Sequence, residues 1–326
     1  MLAYHFNRLR GALRSMHPAA YLGVGIKAAA PFTRLIDHAV YKIKISKNVS
    51  KIDLSKIHSI FIVCAPRSGG TLVYQALSRT LPGIYISNFH ALFPRLGSRI
   101  LRKAKWQSKQ TEFNNYYGYT SSLRDVYEGN EFYKWAHRKY ADGAKGQPNS
   151  YYRDQFQNMI NDLEPRPNEC VIFKNARSYF MIKYLHAAIP ELKFIRVKRS
   201  RDQVIESVLR AYHDLGSFHP IPYNLKTRKI VDPLEFAVAQ IEEIESTIDR
   251  HLEGLPASAQ FVVEYEKFCE NAQYHIDTIA YDFIKLPAGS VSECSALSQL
   301  KSSSREKVTA AERRKIDNLI NESRKL

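Results

Sequence analysis

The 326-residue chain has few cysteines, and they lie far apart. Cys64, Cys170, Cys269 and Cys294 show neither the paired spacing of a zinc site nor the pattern of a disulfide framework. Two of them fall in or next to predicted strands, so we expect reduced, buried thiols. No other cluster of metal-ligating residue types is visible, and we expect no bound metal.

A long apolar run is also absent. No stretch approaches the roughly 18 consecutive apolar residues of a membrane-spanning helix. The apolar patch at residues 19–32 is interrupted by glycine, lysine and proline, which is unlike a secretory signal peptide. We therefore expect a cytoplasmic protein, with peripheral contact to the inner membrane face left open.

Acidic residues are scarce relative to basic ones. The chain has 48 Lys and Arg against 32 Asp and Glu, a net charge of +16, which points to an anionic partner. Charge alone leaves nucleic acid, acidic glycan, membrane surface and phosphorylated cofactor open. The basic residues form no recognised nucleic-acid-reading module, so we expect no nucleic-acid partner. Residues 1–58 oppose their many basic residues only with Asp37 and Asp53 and predict a basic helical N-terminal arm. We expect the arm to pack on the domain, and membrane contact is the alternative.

What the sequence does contain is a strand, a glycine turn and a helix in succession. Residues 59–64 are mostly apolar and β-branched, as a strand buried on both faces requires. The turn at 65–70 has glycines where the backbone must approach a ligand closely, and a helix follows over 71–79. A glycine turn before a helix N-terminus predicts a phosphate site.

This turn lacks the lysine of a nucleoside triphosphatase loop. In a Walker A motif the second glycine is followed by Lys and then Ser or Thr. Aligning Gly69 with that glycine places Gly70 at the lysine position and Cys64 at the first glycine. The positive charge lies inside the turn, on Arg67. We therefore expect a nucleotide other than Mg-ATP.

Short apolar strands alternate with helices along the rest of the chain. We predict strands near 83–87, 170–173, 192–197 and 260–264, and helices near 178–188, 202–213 and 233–252. This alternation predicts an α/β fold, a parallel central sheet with helices on both faces. Ligands of such sheets bind beyond the carboxyl ends of the strands, where Lys174 and Arg199 also emerge.

Two stretches resemble the donor-binding elements of sulfotransferases that use 3′-phosphoadenosine 5′-phosphosulfate (PAPS). The run from Pro66 to Leu72 is similar to their 5′-phosphosulfate loop, from which Gly70 departs mildly. Arg199, followed eight positions later by Ser207, resembles their 3′-phosphate element. Lys174 matches their strand-end lysine, and Phe261 to Phe268 resembles their Tyr-Glu strand. The resemblance covers about residues 59–285 and implies a P-loop NTPase-like sulfotransferase domain, assigned here to 59–326.

The resemblance implies PAPS as donor and a hydroxyl as acceptor, without a metal. Arg67 and Lys174 would stabilise charge on the leaving oxygen, in a displacement that parallels phosphoryl transfer. The implied donor-binding residues are Arg67, Ser68, Gly69, Gly70, Thr71, Leu72, Arg199 and Ser207.

A general base has to accept the proton of the acceptor hydroxyl. We predict His90, which follows the second short strand, because neutral imidazole acts near pH 7. Packing between two phenylalanines is the alternative role for His90, and Glu112, Glu128 and Glu131 are the reserve candidates. We expect His90→Ala to lower turnover while donor binding persists.

Residues 88–153 are rich in aromatic residues and interspersed with glycine, which predicts a loop-rich lid. Aromatic faces suit sugar rings. The basic run at residues 95–109 contains no acid and is predicted either to line an entrance for an anionic acceptor or to face solvent. Together these features favour a glycan or glycolipid acceptor of the kind used by bacterial carbohydrate sulfotransferases, with a lipid, a tyrosyl peptide and a small metabolite as the alternatives.

The alternatives are a P-loop kinase or NTPase and a non-enzymatic polyanion-binding protein, and one titration distinguishes all three. For a sulfotransferase we expect tight, metal-independent calorimetric binding of adenosine 3′,5′-bisphosphate. Mg²⁺-dependent binding of ATP would indicate the kinase. Salt-sensitive RNA binding without nucleotide binding would indicate the polyanion-binding protein.

Overall fold

The fold is built on a five-stranded parallel sheet. The computed structural model describes residues 11, 14–44, 51–104, 113, 115–129, 148–227, 229–300 and 310–323. The strands of the sheet are β1 (His58–Cys64), β2 (Gly83–Tyr85), β5 (Cys170–Lys174), β6 (Lys193–Lys198) and β7 (Gln260–Glu264). A separate antiparallel hairpin pairs β3 (Asn115–Tyr116) with β4 (Tyr119–Thr120).

Helices connect and flank these strands. Those before β5 are α1 (Pro18–Lys44), α2 (Gly70–Thr80), α3 (Asn88–Leu92), α4 (Gly97–Lys103) and α5 (Asn149–Leu163). Those after β5 are α6 (Ile182–Ala188), α7 (Arg201–Leu215), α8 (Pro233–Glu253), α9 (Tyr265–Glu270), α10 (Ala272–Asp277) and α11 (Ala310–Ser323). A π-helix occupies Thr278–Ile284, and single 3₁₀ turns occupy Leu54–Lys56, Ser178–Met181, Tyr223–Leu225, Ala257–Ala259 and Ser295–Gln299.

The sheet order is β2-β5-β1-β6-β7, with every neighbouring pair parallel. Strand β1 lies at the centre, so both its neighbours cover its edges and its residues are almost entirely buried. The predicted α/β class with a parallel central sheet is confirmed. Each predicted strand is present, and its bounds differ from the prediction by at most two residues.

The two faces of the sheet form two separate apolar layers. Because side chains alternate along a strand, Phe61 joins the layer packed by α5, α6, α7 and α8. Its neighbours Ile60 and Ile62 join the opposite layer, packed by α2, α9 and α10. This alternation explains why the strands contain apolar residues at consecutive positions.

The N-terminal region forms a longer helix than its composition suggested. Residues 1–10, 12 and 13 of the predicted basic helical arm lie outside the described residues, whereas α1 spans 27 residues and contains Pro31. No helix in the described part of the chain is long and apolar enough to span a membrane.

Helix α1 packs against the segment that follows β2. The Arg34 guanidinium donates to the Ala91 carbonyl at 2.8 and 2.9 Å. The buried Asp37 carboxylate accepts from the backbone N–H groups of Arg95 and Leu96 at 3.2 and 2.9 Å. Asp37 thereby caps the start of α4 from another helix.

We expect Asp37→Ala to lower the free energy of unfolding by about 1–3 kcal/mol, because it leaves two backbone N–H groups without an acceptor. Urea unfolding of the purified chain measures this. Glu253→Ala, which removes an exposed carboxylate at the end of α8, is the control and should change stability by less than about 0.5 kcal/mol. Equal effects of the two substitutions would contradict the capping role.

Candidate functional site

The turn between β1 and α2 is held in a compact conformation. Arg67 and Gly69 both adopt left-handed backbone conformations, with φ of 69° and 85°. A Cβ atom on Gly69 would lie 2.0 Å from the Tyr265 ring, so only glycine fits there. A non-glycine residue in this region is strained, and such strain is typical of ligand-binding turns.

Gly70 explains the missing Walker lysine. A Cβ atom at Gly70 would lie 2.4 Å from Cys64 Sγ and 3.0 Å from Lys174 Cε. The space that a larger residue would need is therefore filled first by the Cys64 side chain and then by the lysine at the end of β5. In this fold the ammonium group reaches the turn from the neighbouring strand instead of from the helix.

Three cationic residues from three strand ends line one cavity. The cavity has a volume of about 470 Å³ and includes Arg67, Lys174 and Arg199. Of the other predicted donor-binding residues, Gly69, Gly70, Thr71 and Leu72 also line it. The structure therefore brings positive charge and the N-terminus of α2 together at the carboxyl edge of the sheet, as expected for a site that binds an anion.

Arg199 supports the turn from below. Its Nη1 donates to the Arg67 carbonyl at 3.2 Å, and its guanidinium lies 4.8 Å from the centroid of the Tyr265 ring. Gln203 accepts from its Nε and Nη2 atoms at 3.2 and 3.0 Å. These contacts orient the guanidinium at the end of β6.

Ser207 lies behind the cavity wall, in contact with Arg67. Its Oγ accepts from Arg67 Nε at 3.1 Å, and the residue is buried. The predicted pair of Arg199 and Ser207 is thus joined through Arg67 and does not face one space directly.

The turn also carries a buried polar side chain, Ser68, which does not line the cavity. Among the described residues, Ser68 Oγ has no hydrogen-bond partner although the side chain is buried. Burial, and then the nearby guanidinium groups of Arg210 and Arg199, lower the pKa of Arg67. Like charges held this closely favour binding of an anion, so the residues present fit a phosphorylated donor.

Lys174 forms an ion pair with Glu128 inside the cavity. The Lys174 ammonium contacts Glu128 Oε1, and its side chain is only 5% exposed. Burial lowers the pKa of Lys174, but the Glu128 carboxylate outweighs burial and the net pKa is raised. Asn175 Nδ2 donates to the backbone carbonyl of Glu128 at 3.0 Å and so helps to position this residue.

The β3–β4 hairpin covers the turn. The Tyr117 ring lies 4.8 Å from the Arg67 guanidinium, and its hydroxyl donates to Asp214. A Cβ atom at Gly118 would lie 3.8 Å from Glu128 Oε1 and 3.9 Å from Thr71 Oγ1. The hairpin tip therefore forms the roof over the start of α2.

Helix α1 supports this hairpin and contributes to the cavity. A Cβ atom on Gly23 would lie 2.8 Å from the Tyr119 ring, so the two segments are in close contact. His17 stacks on Tyr116 with a centroid distance of 4.7 Å. Lys27 on α1 lines the cavity.

His90 occupies a structural position away from the cavity. Its Nδ1 accepts from the Ser87 backbone N–H at 3.1 Å and lies 2.9 Å from Ser87 Oγ. Its Nε2 lies 2.9 Å from Ser98 Oγ, and the residue does not line the cavity. Burial lowers the pKa of His90 to about 4. This geometry does not favour the predicted role as general base, since both ring nitrogens are engaged in holding α3 against α4.

Of the reserve carboxylates, only Glu128 can be placed. Glu112 and Glu131 lie outside the described residues, as do residues 105–109 of the basic run. Within the described part of that run, Arg99 pairs with Glu164 and Arg102 pairs with Glu169. These two arginines do not line the cavity, and their ion pairs favour the structural interpretation of the run.

Several cavity residues were not singled out from the sequence. They include Asn88, Asn115 and His219. The pairing of Tyr117 with Gly118 between two β-prone residues was a usable signal for a hairpin tip. Among the described residues, no group of three or more His, Cys, Asp or Glu side chains is placed to hold a metal ion.

Comparisons with known proteins identify the family and the fold of this chain. A profile of the sulfotransferase family matches residues 59–289. The structure is similar to sulfotransferase STF1 from Mycobacterium tuberculosis H37Rv, with a TM-score of 0.58 and 13% identity over 99% of this chain and 92% of that chain. It is also similar to sulfotransferase STF9 from Mycobacterium avium, with a TM-score of 0.54 and 14% identity over 90% of this chain and 83% of that chain. No curated protein sequence matches this chain significantly.

We expect stability to depend on the protonation of His90. Its pKa is about 4 in the fold and 6.5 in the unfolded chain, so the unfolded state binds the extra proton between these values. The contribution of neutral His90 to the free energy of unfolding is therefore fully present above pH 6.5 and decreases as the pH drops toward 4. Urea unfolding at pH 7 and pH 5 should show that wild type loses about 2 kcal/mol more than His90→Gln.

The same variant separates structure from catalysis. We expect His90→Gln to keep wild-type turnover per folded molecule at pH 7. A strong loss of turnover in a fully folded variant, with donor binding retained, would contradict the structural role. His251→Gln is the control for turnover, because His251 is also a buried histidine with a pKa lowered to about 4 and does not line the cavity. It should likewise keep wild-type turnover.

Proposed function

This chain belongs to the sulfotransferase family and transfers a sulfuryl group, and we propose that its donor is PAPS. The observation that carries the proposal is the placement of Arg67, Lys174 and Arg199 around one cavity at the N-terminus of α2. PAPS carries phosphate at two separate positions of its nucleotide, so a cavity with several separated cations is the arrangement it needs.

Different residues of the cavity bind the two phosphates of the donor. The backbone N–H groups of residues 69–71 bind the 5′-phosphate, whereas the Ser68 N–H already donates to the Ala65 carbonyl at 3.3 Å. Arg199 binds the 3′-phosphate, and Ser207 acts through its hydrogen bond to Arg67. Arg67 and Lys174 stabilise the negative charge of the leaving phosphate.

Bond changes in the reaction require a proton acceptor. The bond between sulfur and the bridging oxygen breaks, a bond from sulfur to the acceptor oxygen forms, and the acceptor hydroxyl loses its proton. We propose that Glu128 takes this proton, because its carboxylate lies in the cavity against Lys174.

The ion pair between Lys174 and Glu128 connects the two roles. In the free protein each charge is neutralised by the other within a largely desolvated wall. A phosphorylated donor competes for the Lys174 ammonium and leaves the Glu128 carboxylate available to a hydroxyl. Donor binding thereby prepares the base, and this sequence of events suits an enzyme that must not release sulfate to water.

We propose a glycan or glycolipid as the hydroxyl acceptor. The support is the cavity lining of Asn88, Asn115, Tyr117, Tyr119 and Tyr127, which offers amide groups and aromatic faces. A screen of hydroxyl acceptors with ³⁵S-labelled donor tests this. Labelling of sugar hydroxyls is the expected result, and labelling of tyrosyl peptides alone would overturn the acceptor assignment.

We expect Glu128→Gln to lower kcat by about 100-fold or more, because the amide cannot accept the proton. Calorimetry with adenosine 3′,5′-bisphosphate should show that nucleotide binding is retained. Glu169→Gln is the matched control, since Glu169 pairs with Arg102 away from the cavity and its substitution should leave kcat unchanged. Equal kcat values for Glu128→Gln and wild type would remove Glu128 from the role.

A further inference from the structure

Helix α1 has an unusual distribution of apolar side chains. Its larger apolar residues point to solvent: Phe32 is 72% exposed, Leu35 71%, Ile36 58% and Ile43 76%. With Tyr21, which is 45% exposed, they form what we call the α1 outer face. The side that packs on the domain carries mainly small residues: Ala19, Ala20 and Ala30 are buried, together with Ile26 and Asp37.

The spacing of these residues places them on one side of the helix. Tyr21, Phe32 and Ile43 follow one another at intervals of eleven residues, which is about three turns each. Leu35 and Ile36 fill the turn between the last two. The α1 outer face therefore extends about 33 Å along the helix, and its large apolar side chains are concentrated in the last stretch of about 16 Å, from Phe32 to Ile43. Soluble proteins rarely expose such an apolar stripe without a partner.

Charge on the same helix is of one sign at the surface. Lys27 and Lys42 are exposed, and Arg34 is partly exposed. The single acidic residue of α1, Asp37, is buried against the backbone of Arg95 and Leu96. The helix thus presents apolar and basic groups to solvent and no carboxylate, on a chain of net charge +16.

We propose that the α1 outer face docks on an anionic phospholipid bilayer. The apolar stripe inserts into the boundary between headgroups and acyl chains, and the exposed Lys42 beside it and the net charge of +16 favour anionic headgroups. A second copy of this chain is a poorer occupant, because it would bring another net charge of +16 to the same face. The same helix lines the cavity through Lys27, so the docking element is also a wall of the site.

Vesicle sedimentation with the full chain tests the proposal. Vesicles of equal parts phosphatidylglycerol and phosphatidylcholine should bind the wild-type chain at least about tenfold more strongly than vesicles of phosphatidylcholine alone. Raising the salt concentration should weaken this binding. Equal binding to both kinds of vesicle, or binding to neither, would overturn the proposal.

A triple variant, Phe32→Gln, Leu35→Gln and Ile36→Gln, isolates the apolar stripe. We expect it to lower binding to the anionic vesicles by about tenfold or more, because three inserting side chains are lost. The matched control is Val231→Gln with Tyr274→Gln, which replaces residues that are 83% and 62% exposed elsewhere. Wild-type binding by the triple variant, or an equal loss in the control, would contradict the assignment.

Two measurements on the wild-type chain keep the test independent of folding defects. Amide hydrogen exchange over residues 28–43 should slow only when anionic vesicles are added. Equal protection without vesicles would mean that another segment of the chain covers the face, and the proposal would be wrong. A dimer in analytical ultracentrifugation that the triple variant converts to monomer would assign the face to a second copy instead.

Discussion

Repulsion among like charges is the constraint that organises this molecule. Arg67, Lys174 and Arg199 converge at the end of three neighbouring strands, and the N-terminus of α2 adds its own positive potential. A protein gains nothing in stability from such an arrangement unless other groups offset it. Glu128 neutralises Lys174, and the rings of Tyr117 and Tyr265 cover the two guanidinium groups. The remaining positive potential is what an anionic donor can relieve.

Steric limits at the phosphate turn determine which residues fit at positions 69 and 70. Gly69 leaves room for the Tyr265 ring, and Gly70 leaves room for the side chains of Cys64 and Lys174. The two glycines therefore do different work, although they are adjacent in the sequence. One allows a left-handed turn against an aromatic ring, and the other admits a cation from the next strand. The mild departure of Gly70 from the usual sulfotransferase loop is explained by this packing.

The central sheet could be predicted from sequence because its strands are buried on both faces. Consecutive apolar residues such as Ile60, Phe61 and Ile62 have no polar interruption, and glycine or proline marks their ends. The cations of the site could be predicted for the same reason, since they follow strands directly. Helix α1 was harder to predict from the sequence. Several of its larger apolar residues face solvent, and the side that packs on the domain consists mainly of small residues. Sequence could not decide between His90 and Glu128, because both lie in the segment predicted as a lid and only packing shows which one lines the cavity.

The contact between Gly23 and the Tyr119 ring has a consequence for where this molecule can be divided. The sulfotransferase profile begins at residue 59, yet the hairpin over the phosphate turn leans on a helix that ends at residue 44. A fragment that starts at the profile boundary would keep the strands of the sheet but lose α1, the helix that packs against the β3–β4 hairpin over the phosphate turn. The structural domain of this chain is therefore larger than the segment matched by the family profile, and it begins upstream of the sheet.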